Sequence, residues 1–224
     1  QMFNRVVWSS CFLLLCALST SAQAQPFSAF VFDAQGRPVE GAVLSLAGQA
    51  QAKPVAVAVM DQIDKQFSPA VLAVATGTAV SFPNGDDIRH QVYSFSPAKR
   101  FELRLYEGTP SEPVIFDRPG LVVLGCNIHD WMLGYVYITD DPWFAVSDEQ
   151  GRIQLDVPAG QYSSTLWHPA LVDMPPIEAG RLEVGTAPIE LKLPIAIAAA
   201  LQPSAPPPTP FADAFRKAAH DAHP

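Results

Sequence analysis

The sequence predicts an all-β protein, and three observations carry that expectation. First, the 224 residues include 22 prolines. Proline has no backbone donor and breaks helices, so long helices are disfavoured. Second, the apolar residues, 49% of the chain, fall in short runs of strand length bounded by Gly, Pro and Asp. Third, several of these runs alternate apolar and polar residues, the period of a half-buried strand. The apolar content is enough for a real core, and the length suits one large or two small domains.

Residues 1–24 read as a secretory signal. Arg5 gives the positive start, Val6 to Leu18 the apolar stretch, and Ala22-Gln23-Ala24 a small-x-small cleavage site. Cleavage near Ala24 would make Gln25 the mature start and the protein periplasmic or secreted. The apolar stretch is short for a transmembrane helix, so no membrane span is expected. Cys16 follows Leu14-Leu15, without the small residue of a lipidation site. Cys11 and Cys16 leave with the leader, so Cys126 is the one mature thiol and no internal disulfide can form. The formal net charge is −8. Arg5 is the only charged residue of the leader, so its loss makes the charge −9. Such a surface repels nucleic acid and anionic membranes; it would suit a basic protein partner, though an acidic balance is also an ordinary solubility feature.

Residues 27–50 read as a strand, a turn at Asp33-Ala34-Gln35-Gly36 and an alternating strand. Residues 143–195 read as further short strands, with turns at Asp148-Glu149-Gln150-Gly151 and Pro158-Ala159-Gly160. Residues 196–224 hold a Pro-rich linker (202–210) and a tail, Phe211 to His223, of short helical pattern. His220 and His223 in that tail are left out of the site. His168, in Trp167-His168-Pro169, reads as structural.

The chemistry lies in residues 54–140. Val71 to Phe82 gives two strands around Thr76-Gly77, and Pro83-Asn84-Gly85-Asp86-Asp87 ends the second, ahead of His90. Leu121-Val122-Val123-Leu124 runs into Gly125-Cys126, and Leu133 to Ile138 is the strand leaving. Between them, Cys126-Asn127-Ile128-His129-Asp130-Trp131-Met132 places a thiol, an imidazole and a thioether on one short loop. A buried inert cysteine, a loop-end His90 and a core methionine are each ordinary alone. Together they form a Cys-x-x-His-x-x-Met loop with an upstream histidine, the ligand set of a blue-copper site. Zinc fits less well, because a thioether is a poor zinc ligand. The predicted cofactor is one type 1 copper ion held by His90, Cys126, His129 and Met132. Met60 reads as core.

With these motifs, residues 54–140 resemble a cupredoxin of the plastocyanin and amicyanin family. The Phe67-x-Pro69…Gly77-Thr78-x-Val80-x-Phe82-x-Asn84 run resembles the family's early strands, and the loop spacing matches that of amicyanin. The resemblance implies a Greek-key β-sandwich. It also implies that Asn84 ties the two ligand-bearing loops together and that Ile128 and Trp131 flank His129 on an apolar docking patch. Simple loop packing is an equal reading of Ile128 and Trp131. Lys99, Arg100 and Arg104 form a local basic patch or an ordinary solvated loop. Phe32-Asp33…Leu46 and Ser147-Asp148…Tyr162 resemble the strands of a carboxypeptidase-regulatory-like (transthyretin-like) β-sandwich. The expected organisation is that sandwich, discontinuous over 27–50 and 143–195, with the copper domain inserted. Two separate flanking domains are the alternative. The whole chain also resembles bacterial proteins described as methylamine-utilisation or plastocyanin-like.

The function implied is a periplasmic one-electron carrier, not an enzyme, since no hydrolase or phosphate-binding motif has diagnostic spacing. Its partner would be a redox protein such as a c-type cytochrome or a periplasmic dehydrogenase. The competing expectation is a copper-binding or accessory scaffold module, serving copper delivery or carbohydrate or protein adhesion.

Overall fold

The computed structural model describes residues 24–49, 52–54, 56–197 and 201. The expected signal segment through residue 23, and the expected linker and tail from residue 202 on, lie outside the described residues. The protein is all-β: among the described residues the one helical element is a 3-10 turn, Pro169–Leu171. Two strands come first, β1 (Ala24–Phe32) and β2 (Val43–Leu46). The central stretch forms β3 (Ala58–Val59), β4 (Asp61–Ile63), β5 (Gln66–Ser68), β6 (Val71–Ala75), β7 (Thr78–Ser81), β8 (His90–Ser94), β9 (Phe101–Tyr106), β10 (Val114–Phe116), β11 (Gly120–Gly125) and β12 (Leu133–Thr139). After it come β13 (Trp143–Val146), β14 (Arg152–Pro158), β15 (Gly160–Trp167), β16 (Ile177–Val184) and β17 (Ile189–Lys192).

Strands from the two ends pair with each other. One sheet runs β14-β1-β17 and another β13-β2-β15-β16. Phe27 faces Leu155 across the antiparallel β1–β14 ladder, and Leu44 faces Leu166 across β2–β15. The central stretch builds its own sheets, β6-β12-β11-β8-β9 and β10-β7-β3, with a β4–β5 hairpin beside them. Gly151 shows how closely the outer segments meet. It sits at φ +72°, and a Cβ there would lie 2.5 Å from the Val31 carbonyl oxygen, so a side chain is excluded twice over.

The same five-residue turn occurs twice in these outer segments, as Asp33-Ala-Gln-Gly36-Arg37 and Asp148-Glu-Gln-Gly151-Arg152. In each, one carboxylate oxygen accepts two backbone N–H groups, from Gln35 and Arg37 at 2.8 and 2.9 Å, and from Gln150 and Arg152 at 3.0 and 2.9 Å. In each, the arginine donates to the other oxygen, at 2.7 and 3.1 Å. Aspartate is suited to this, since its short side chain mimics a backbone turn.

The β6-β12-β11 part of the five-stranded sheet is buried on both faces. Val122, Leu124, Val136, Ile138 and Val74 face the core of the central stretch. The alternate residues Tyr135, Tyr137 and Val71 belong to the core of the outer segments. The rings of Tyr135 and Tyr137 each lie 5.9 Å from that of Trp167. A strand covered on both sides needs no polar face. That is why residues 121–125 and 133–138 are continuous apolar runs rather than alternating ones.

Candidate metal centre

The sheet register aims the site residues. On β8, His90, Val92 and Ser94 are buried, Gln91 is buried too at 7% exposed, Tyr93 is half-buried and the following Phe95 is exposed. His90 lies on the same side of the strand as the core residue Val92, with a register shift between them. β11 and β12 are antiparallel neighbours, with Gly125 facing Leu133. The loop between them is thus short and held at both ends. Within it the Met132 N–H donates to the His129 carbonyl at 2.9 Å, closing a turn that folds the loop back over the end of the sandwich. Gly134 follows because the Phe67 ring lies where its Cβ would be, with Cγ at 2.8 Å.

Three ligand-type atoms converge there. Cys126 Sγ lies 3.9 Å from His90 Nδ1 and 3.9 Å from His129 Nδ1, and the two Nδ1 atoms are 3.2 Å apart. The point equidistant from all three lies about 2 Å from each, close to metal–imidazole and metal–thiolate bond lengths of roughly 2.0–2.3 Å. All three residues are buried. Met132 is 1% exposed and packs in the same cluster as Cys126, among Phe82, Val92 and Leu124. Met60 is fully buried in that core, as the sequence reading had it. Burial, the neighbouring His90 and the charge of Lys65 hold His129 below the ordinary imidazole value, against a smaller opposite pull from Asp86. The neutral ring, the form that donates to a metal, is therefore favoured.

Outward from these atoms, His129 Nδ1 faces inward while its ring lies 5.1 Å from that of Trp131. Ile128 is 48% exposed and Trp131 half-buried. Of the basic residues, Lys99 is paired with Asp117 at 3.0 Å, and Arg100 and Arg104 are exposed.

Asn84 departs from expectation. Its side-chain amide donates to the Ile88 carbonyl at 2.8 Å and to the Tyr106 carbonyl at 3.0 Å, and its oxygen accepts the Asp86 N–H at 3.1 Å. Among the described residues, these bonds tie the loop before His90 to itself and to β9, and none reaches the Cys126 loop. The physical reason is local: an isolated bridge brings Gly108, two residues past β9, opposite Asn84, so the amide finds its partners there. Tyr106 braces the same region. Its hydroxyl donates to the Phe82 carbonyl at 2.7 Å and accepts from Gln62 Nε2 at 2.5 Å. Burial pushes its phenol up to about 12, so it remains a neutral donor.

Two features escaped the sequence reading. One is Asp86, whose Oδ2 lies 2.7 Å from His90 Nε2. The other is the β4–β5 hairpin, whose tip residues Asp64 and Lys65 adopt φ +54° and +59° and donate their N–H groups to Asp86 at 2.7 and 2.9 Å. Burial alone would raise the Asp86 carboxyl, but the bonds from His90, Lys65 and Asp64 outweigh it and hold the group below its usual range. A Pro-Asn-Gly-Asp-Asp run gives no sign of which aspartate turns inward. An Asp-Lys turn lacks the Asn-Gly signal of a tight hairpin.

No protein-family model matches the chain, and no curated protein does. Solved structures do. A Cu-containing nitrite reductase from Thermus scotoductus SA-01 is similar over 42% of this chain and 25% of its own, at 24% identity and a TM-score of 0.36. A purple cupredoxin from Nitrosopumilus maritimus is similar over 38% of this chain and all of its own, at 21% identity and a TM-score of 0.32. The reduced Cu(I) form of an amicyanin mutant is similar over 43% of this chain and 98% of its own, at 17% identity and a TM-score of 0.34. Among the described residues no helix is long and apolar enough to cross a membrane.

Proposed function

We propose that this chain is a type 1 copper protein that carries single electrons in the periplasm or outside the cell. The observation that carries the proposal is the buried convergence of Cys126 Sγ, His90 Nδ1 and His129 Nδ1 around a point at bonding distance from each. A thiolate with two imidazoles favours a soft, redox-active metal, and a thioether from Met132 strengthens that preference over zinc. Copper, when bound, supplies a one-electron couple between Cu(I) and Cu(II).

The chain's own residues fit that use. His90 and His129 are held by the sheet and the short loop, so their donor atoms are in place before binding. Rigid placement keeps rearrangement small between the two oxidation states. Phe82, Val92 and Leu124 keep water from the buried side. His129, with Ile128 and Trp131, forms the edge where an electron would enter and leave through an imidazole toward a redox protein. In this reading the chain is a carrier rather than an enzyme. We read 27–50 and 143–195 as one carboxypeptidase-regulatory-like sandwich interrupted by the copper domain. The β1–β14 and β2–β15 pairings support that reading.

The test is a reductive titration of the copper-loaded chain followed by reoxidation in the presence of a Cu(I) chelator. A carrier takes up one electron per chain, returns it, and keeps its metal. Loss of Cu(I) to the chelator on each cycle would instead favour the delivery or scaffold role.

A further inference from the structure

We infer that Asp86 is a positioning residue for the metal centre: its carboxylate selects the donor atom of His90 and raises that atom's donor strength, while clamping the β4–β5 hairpin beside the site. This inference rests on the copper reading above, and it concerns a contact between this chain's own residues.

The argument begins with hydrogen-bond chemistry. An ionised carboxylate only accepts. His90 Nε2, 2.7 Å from Asp86 Oδ2, must therefore carry the proton. A neutral His90 then has its lone pair on Nδ1, the atom that lies 3.9 Å from Cys126 Sγ and 3.2 Å from His129 Nδ1. The carboxylate thus fixes which nitrogen faces the cluster. Its charge does more than a neutral acceptor would. A charge-assisted bond is about twice as strong as a neutral one, and it shifts electron density into the ring toward Nδ1. A stronger donor favours the more highly charged ion, Cu(II), over Cu(I), and so lowers the reduction potential.

Asp86 is itself fixed. Its Oδ1 accepts the Asp64 N–H at 2.7 Å and its Oδ2 the Lys65 N–H at 2.9 Å, and its own N–H is held by Asn84 at 3.1 Å. The donors Asp64 and Lys65 are the two residues of the hairpin turn that take positive φ, a conformation that turns successive N–H groups to one side. His90 is fully buried, and the Asp86 side chain is 13% exposed. The pair is therefore shielded from competing water, which strengthens the contact. One carboxylate consequently serves both the hairpin tip and the ligand.

Two variants of the full chain separate these roles. Asp86→Asn can keep an acceptor for His90 Nε2 and the Lys65 N–H, but it removes the charge and the acceptor for the Asp64 N–H. Asp86→Ala removes the charge and every acceptor. In the metal-free chain, ¹⁵N NMR of the His90 ring should show the Nε2–H tautomer in the wild type and in Asp86→Asn, and a mixture in Asp86→Ala. In the copper-loaded chain, Cu(II) affinity should fall about tenfold in Asp86→Asn and by up to about 100-fold in Asp86→Ala, with Cu(I) affinity changing less and the potential rising in that order. Unchanged tautomer, affinity ratio and potential in both variants, with only the melting temperature lowered, would overturn the inference and leave Asp86 a brace for the hairpin. The tautomer measurement needs no metal, so it stands even if copper binding itself fails.

Discussion

His168, between β15 and the Pro169–Leu171 turn, and His90, at the head of β8, are 3% and 0% exposed, yet their nitrogens meet different surroundings. His168 Nε2 donates to the Glu40 carbonyl at 3.1 Å, and its Nδ1 accepts the Ala170 N–H at 3.1 Å. Both nitrogens are satisfied by backbone, and the ring caps a turn. His90 also has one nitrogen satisfied, by Asp86, but its other nitrogen faces a thiol and a second imidazole. Burial costs each ring its water. In the outer segments the cost is offset by hydrogen bonds, while in the central stretch one ring nitrogen faces a thiol and a second imidazole instead. A buried histidine thus points to a binding site only when a ring nitrogen has no backbone or carboxylate partner and faces other ligand atoms.

Removing one ring from each region should give opposite results. His90→Ala should weaken Cu(II) binding by more than the roughly 100-fold typical of losing an outer partner, read by competition with a chelator of known affinity. His168→Ala should leave that affinity unchanged but lower stability by about 2–3 kcal/mol, through a cavity and two unpaired backbone groups, read by urea unfolding. Equal effects on binding would break the contrast.

Protonation sharpens it further. Burial pushes His168 down to about 4, against a smaller opposite effect of the Glu40 bond. Its folded value thus lies below the unfolded value of about 6.5. The folded ring resists a proton that the unfolded ring accepts, so stability is unaffected above that pH and falls as pH drops toward about 4. The loss should be on the order of 3 kcal/mol across that window, and His168→Ala should flatten it. Carboxylates held low, such as Asp86, act below that window: their contribution is present above the unfolded value and is lost as pH falls through the folded one.

The smallest expected difference lies between the twin turns. The Asp33 side chain is 1% exposed and also accepts the Ile197 N–H at 3.2 Å, whereas that of Asp148 is 37% exposed. Asp33→Ala should lower the melting temperature clearly more than Asp148→Ala. Equal drops would show that the turn geometry, rather than its burial, carries the contribution.

What the sequence disclosed follows from distance along the chain. Cys126, His129 and Met132 are legible because one loop holds them, and the strands on either side announce themselves as apolar runs. His90 is legible only in company, since a loop-end histidine has no signature of its own. Its tie to Asp86 is hidden, because Asp86 and Asp87 are adjacent and only the folded loop decides which turns inward. The roles of Asn84 and Tyr106 depend on where β9 returns, and no local pattern encodes that. Tyr135 and Tyr137 read as strand residues, but their contact with Trp167 depends on a pairing about thirty residues away.

The most direct measurement is the visible absorption of the chain from Gln25 onward after addition of Cu(II), beside Cys126→Ser. The account predicts an intense thiolate-to-copper band in the wild type, bleached by reductant and absent from a folded Cys126→Ser. A folded wild type with no such band, or a Cys126→Ser variant that keeps it, would contradict a copper thiolate centre at Cys126.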